Sequence, residues 1–93
     1  MKTMTMLRAP AKLDASAVTS LATKVRHAVD KGPGEINIDL SSVRYIDSGG
    51  LGAMILMWKS VDKTIHRLVF TNPSEFATEM LKNTNLDKIF NFK

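Results

Sequence analysis

Residues 36–52 read I-N-I-D-L-S-S-V-R-Y-I-D-S-G-G-L-G, and a change of period within them decides the fold. Ile36, Ile38 and Leu40 alternate with Asn37 and Asp39, the pattern of a strand. After a short loop, Asp47 or Ser48 offers a helix cap. Gly49, Gly50 and Gly52 then lead into an apolar run, predicting a helix from near Ser48 to about residue 62. Strand, short loop and helix in succession form the repeating half of an α/β layer.

The same alternation extends both ways from this stretch. Upstream, residues 2–8 alternate loosely and predict an edge strand ended by Pro10, leaving room for one strand before the first helix. Asp14 or Ser16 can cap that helix, whose apolar residues Val18, Leu21, Ala22, Val25 and Val29 recur at helical spacing. Gly32-Pro33-Gly34 stops it. Downstream, residues 68–71 form a short apolar strand. Asn72-Pro73-Ser74-Glu75 signals another helix, with Asn72 as cap, proline in the first position and Glu75 reaching back. Phe76, Ala77, Met80 and Leu81 give that helix its inner face. It ends near residues 83–85, where asparagine tolerates the left-handed conformation. Leu86, Ile89, Phe90 and Phe92 make a last apolar segment, read as a short strand. The predicted architecture is a single α/β domain over residues 1–93. Its central sheet is mixed and mostly parallel, of about four strands, with helices packed on it.

Composition narrows the function. A chain of 93 residues, 44% hydrophobic and 24% charged, supports one modest core. It has no cysteine, which excludes disulfides, thiolate chemistry and cysteine zinc sites. The net charge of +4 comes from scattered lysines and arginines. Nucleic-acid surfaces show a basic stripe with interleaved aromatics, so no nucleic-acid partner is expected. The longest apolar run, residues 53–58, is far short of the ~20 residues that span a bilayer, and residues 1–7 lack a signal peptide's apolar run. The expected setting is cytoplasmic, without membrane insertion.

Ser48, between a carboxylate and two glycines, could serve several chemistries. D-S-G-G occurs around the nucleophile of trypsin-like proteases, but those are double β-barrels of more than twice this length. An active serine also needs a base, and neither His27 nor His66 has a context that suggests one. The elbow G-x-S-x-G fails because Ile46 stands two before Ser48. For phosphate binding, neither G-x-x-x-x-G-K-[ST] nor G-x-G-x-x-G is present. Asp39 and Asp47 could be read as a magnesium pair, yet nothing before Asp14 is acidic. Asp39 fits better as a strand-end residue hydrogen-bonding the following loop. The remaining readings are a helix cap, or a hydroxyl that itself receives a phosphate.

The run from Ile38 to Gly52 resembles the signature of STAS domains, specifically the anti-sigma factor antagonists. In these a strand and short loop lead through D-S-[S/G/A]-G-L-G into a helix. Asn72-Pro73-Ser74, with the run from Leu81 to Phe90, resembles the family's ending, a proline-initiated helix followed by T-G-L-x-x-[I/L]-F. Leu13-Asp14 matches a family position before the first helix. The resemblance implies a small STAS-like binding module that is not an enzyme, needs no cofactor or metal, and is monomeric when free. It implies phosphorylation at Ser48 by a GHKL-type partner that is both serine kinase and anti-sigma factor, and dephosphorylation by a PP2C-type phosphatase. The partner-binding residues are then Asp47, Ser48, Gly49, Gly50, Leu51 and Met54, with the second helix as the contact surface. Gly50→Val is expected to harm binding more than folding. The alternatives are a constitutive STAS-like subunit of a lipid-transport, chemotaxis or other signalling assembly, with Ser48 only a helix cap, and a small serine hydrolase. Family members usually open with two strands, and often carry a further helix after the last strand.

Overall fold

The computed structural model describes residues 3–93. The element order is β1 (Thr3–Arg8), β2 (Lys12–Leu13), α1 (Ala15–Asp30), β3 (Gly34–Asp39), β4 (Tyr45–Ile46), α2 (Ser48–Ser60), β5 (His66–Thr71), α3 (Glu75–Asn83), a 3-10 turn (Leu86–Lys88) and β6 (Asn91–Phe92). The main sheet has the order β1-β3-β5-β6, and each of its ladders is parallel. Parallel neighbours cannot be joined by a tight hairpin, so each step across the sheet needs a crossover. The three helices supply these crossovers.

Strand alternation sets which face the helices cover. Ile36 stands beside Leu68 and Ile38 beside Phe70, and Phe70 is in turn beside Phe92. Ile36, Ile38, Leu68 and Phe70 share one buried cluster with Val18, Leu21 and Val25 of α1, Met54 and Met57 of α2, and Ala77 and Leu81 of α3. Aromatic contacts close its far end: Phe90 lies 4.8 Å from Phe70 and 5.9 Å from Trp58 between ring centroids. The intervening residues turn to the opposite face. There Arg8 meets Asp39 at 3.8 Å, and Glu35 meets Arg67 at 3.9 Å and Lys93 at 2.8 Å.

The expected edge strand is present as β1, although Lys2 lies outside the described residues. The fold also corrects several expectations. Two strands, not one, precede α1. The second, β2, pairs in parallel with β4, Lys12 beside Tyr45 and Leu13 beside Ile46. Two-residue strands show no period in a sequence, and their pairing partner decides them. The strand read at residues 68–71 begins two residues earlier, because His66 is held by its own backbone N–H to the Asp62 carbonyl and by its ring to the Gly32 carbonyl. Helix α3 is capped by Ser74 instead of Asn72, its hydroxyl accepting from the Ala77 N–H at 3.1 Å. Asn72 is left-handed (φ 47°) and turns the chain out of β5 before Pro73. Asn85 takes the expected left-handed conformation (φ 61°) after α3.

Candidate functional site

The β2–β4 ladder brings the starts of α1 and α2 together, and this junction holds the candidate site. Asp14 caps α1 by accepting from the Ala17 N–H at 2.9 Å. Asp47 caps α2 by accepting from the Gly50 N–H at 2.7 Å. Each carboxylate satisfies a donor that the first helical turn leaves without a partner. The chain closes tightly here: a Cβ built on Gly50 would stand 1.9 Å from the Leu13 carbonyl oxygen. A glycine is required at this point of contact between α2 and the end of β2.

Ser48 is the first residue of α2 and not its cap, because Asp47 holds that position. Its side chain is exposed, and its hydroxyl makes no hydrogen bond among the described residues. The reading of Ser48 as only a helix cap is therefore corrected. Lys12 stands at the same corner, 3.9 Å from Asp14 and 5.8 Å from the centre of the exposed Tyr45 ring.

Of the six residues expected to meet a partner, Ser48 and Gly49 are exposed, and Asp47 and Leu51 are half-buried. Gly50 and Met54 are buried, Met54 to 1% exposure, and so have no surface to offer. The reason is rotational. The inner stripe of α2 is Gly50, Met54 and Met57, continued by Val61, and beside it lie Leu51, Ile55 and Trp58. Those three form its half-buried flank. The helix is apolar nearly all round, so its periodicity could not choose between the two stripes. What sequence reasoning underrated is Leu56, 69% exposed on the outer side of α2. An apolar residue opposite the core stripe was its only signal.

The other chemistries do not assemble around Ser48. His27 lies in the last turn of α1, whose first turn abuts Gly49 through Ala15. His27 lies twelve residue steps along the helix from Ala15, about 18 Å at 1.5 Å per residue. His66 is buried at the start of β5, beside Gly32. Asp39 and Asp47 are each engaged by a backbone N–H, from Ser41 and from Gly50 respectively. Asp39 accepts from the Ser41 N–H at 2.8 Å, which, with the Arg8 guanidinium, holds its carboxyl below the usual range. That contact is the loop-fastening role expected of it. Among the described residues no cluster of three or more metal-ligating side chains occurs, and no helix is long and apolar enough to cross a membrane.

A two-residue parallel ladder that places an aspartate-capped, glycine-led helix beside the start of α1 is a specific arrangement. The STAS domain family profile matches residues 2–93, essentially the whole chain. The chain belongs to the STAS domain family. Solved STAS structures share its fold. A candidate anti-sigma factor antagonist from Thermotoga maritima is 28% identical, with a TM-score of 0.75 over 96% of this chain and 77% of that one. An anti-sigma-factor antagonist (STAS) domain protein from Planctomyces limnophilus is 22% identical, with a TM-score of 0.73 over 94% and 79%. The unphosphorylated form of the anti-sigma factor antagonist SpoIIAA is 19% identical, with a TM-score of 0.74 over 100% and 82%. The STAS domain described here thus resembles anti-sigma factor antagonists, as a regulatory binding module.

Proposed function

We propose that this STAS domain acts as an anti-sigma factor antagonist switched at Ser48. In its unmodified form it binds a GHKL-type serine kinase that doubles as anti-sigma factor. Phosphorylation at Ser48 breaks that complex, and a PP2C-type phosphatase restores it. The contact surface is Asp47, Ser48, Gly49 and Leu51, with exposed Leu56 further along α2. Gly50 and Met54 support this surface from within.

One observation carries the reading: the Ser48 hydroxyl is exposed and makes no hydrogen bond among the described residues, while Asp47 caps α2. A phosphate there adds about −1.5 to −2 charge at a helix N-terminus, which the helix dipole tolerates. The folded domain keeps its structure, and the cost falls on the complex, where that charge must be desolvated beside Asp47. Moving binding from nearly full to nearly absent takes about 5.5 kcal/mol of differential affinity. An unpaired ion buried in an interface costs several kcal/mol.

Incubation with the cognate kinase and ATP should add one phosphate, which Ser48→Ala abolishes. Ser48→Glu should weaken kinase binding with its melting temperature unchanged. A phosphate placed by mass spectrometry on Ser41, Ser42 or Ser60 would overturn the assignment.

A further inference from the structure

A second surface lies between the 43–44 loop and α3. It is a groove of about 540 Å³, with Val43 and Arg44 on one wall and Glu75, Phe76, Glu79 and Met80 on the other. Ser74 pins the walls together. Its hydroxyl donates to the Val43 carbonyl at 2.6 Å and accepts from the Ala77 N–H at 3.1 Å. The groove is therefore formed before anything binds, which lowers the cost of occupying it.

Its chemistry selects an occupant. Phe76 is 37% exposed and Met80 half-buried, giving an apolar strip along α3. Glu75 and Glu79 flank that strip one helical turn apart, and neither forms an ion pair among the described residues. Side chains four residues apart on a helix lie side by side, so the two carboxylates present one acidic edge to the groove. They stand on a chain whose net charge is +4, so the patch runs against the sign of the molecule. Arg44, also without an ion pair among the described residues, lines the opposite wall and can donate to a backbone carbonyl.

We propose that this groove docks a protein segment in which a bulky apolar side chain is flanked by lysines or arginines. The apolar side chain lies on Phe76 and Met80, and the flanking cations pair with Glu75 and Glu79. Complementary charge of this kind fixes partner choice and orientation more than raw affinity. The inference does not use the assignment of Ser48.

Two labelled peptides test it: acetyl-Lys-Leu-Lys-Lys-Leu-Lys-amide, and the same peptide with glycine for leucine. At low ionic strength the leucine peptide should bind about tenfold more tightly. Glu75→Lys/Glu79→Lys should weaken it by roughly tenfold, and Phe76→Ser by about fivefold. Asp87→Lys, which removes an exposed acid outside the groove, should leave affinity within about twofold. Amide shifts of the unmutated domain should concentrate at residues 43–44 and 75–83, a readout independent of how the variants fold. Equal binding of both peptides, wild-type affinity in Glu75→Lys/Glu79→Lys, shifts centred elsewhere, or groove shifts that grow with protein concentration in the absence of peptide would overturn the proposal. The last result would assign the groove to a second copy of this chain.

Discussion

Gly50 and Gly52 stand two residues apart in α2 and should answer substitution in opposite ways. A Cβ on Gly50 meets the Leu13 carbonyl oxygen at 1.9 Å and its carbon at 2.9 Å, both backbone atoms that cannot swing aside. Gly50→Ala therefore forces β2 away from α2, at roughly 1–3 kcal/mol or more. Gly50→Val is worse, so the expectation that it spares folding is reversed. Gly52 has nothing within 4 Å of its built Cβ, and Gly52→Ala should gain about 0.4–1 kcal/mol by restricting the unfolded chain. Thermal melts of the two alanine variants, falling for one and rising for the other, check this pair. Equal and opposite-to-expected shifts would mean that the contact between β2 and α2 is looser than drawn. The sequence showed that glycines open this helix, but which of them a carbonyl crowds depends on β2, which left no trace in the pattern.

At the scale of elements, Asp47 and Ser48 separate a cap from its neighbour. Asp47→Ala should cost about 0.5–2 kcal/mol, the usual loss for an N-cap. Ser48→Ala should cost under about 0.5 kcal/mol, because its hydroxyl has no partner to lose. In denaturant titrations, a Ser48→Ala loss as large as that of Asp47→Ala would return the cap to Ser48. In β3, Ile38 is fully buried in the centre of the sheet, and Ile38→Ala should cost about 2–5 kcal/mol through the cavity left behind. These elements differ in how much of them could be read in advance. The alternation of residues 36–40 and the apolar spacing of α1 repeat often enough to fix element and face. Helix α2 showed its existence but not its rotation. At α3 the signals competed: Asn72, Ser74 and Pro73 all suit a helix start. Asn72 was taken by the left-handed turn after β5, and Ser74 was placed by its bond to the Val43 carbonyl, 31 residues away. A long-range hydrogen bond of that kind has no local signature.

Over the whole molecule, the sheet divides two tasks between its faces. One face builds the core with the helices, and the other carries charges that link strands in register. Arg8 reaches from β1 to Asp39 on β3, while Arg67 of β5 and the terminal Lys93 reach Glu35 on the same strand. Glu35 is held below the usual carboxylate range by its hydrogen bond from Lys93 first, then by Asn37. Asp39 is lowered chiefly by the Ser41 backbone N–H. Both groups hold a proton less tightly folded than unfolded. Their contribution is thus complete above the ordinary carboxylate pKa, about 4, and is lost as pH falls below it through the lower folded-state values. In that window the unfolded chain binds more protons, so stability declines with acid. The double variant Glu35→Gln/Asp39→Asn should therefore melt lower than wild type at pH 7, with the two curves converging toward pH 3. Added salt should narrow the gap, since Arg8, Arg67 and Lys93 all reach solvent. Melting temperature against pH, at low and high salt, checks this. An acid slope unchanged in the double variant would transfer the acid sensitivity to Asp62, lowered by its hydrogen bonds with Thr64. In that case the registration of the strands would rest on their parallel ladders and the buried face alone.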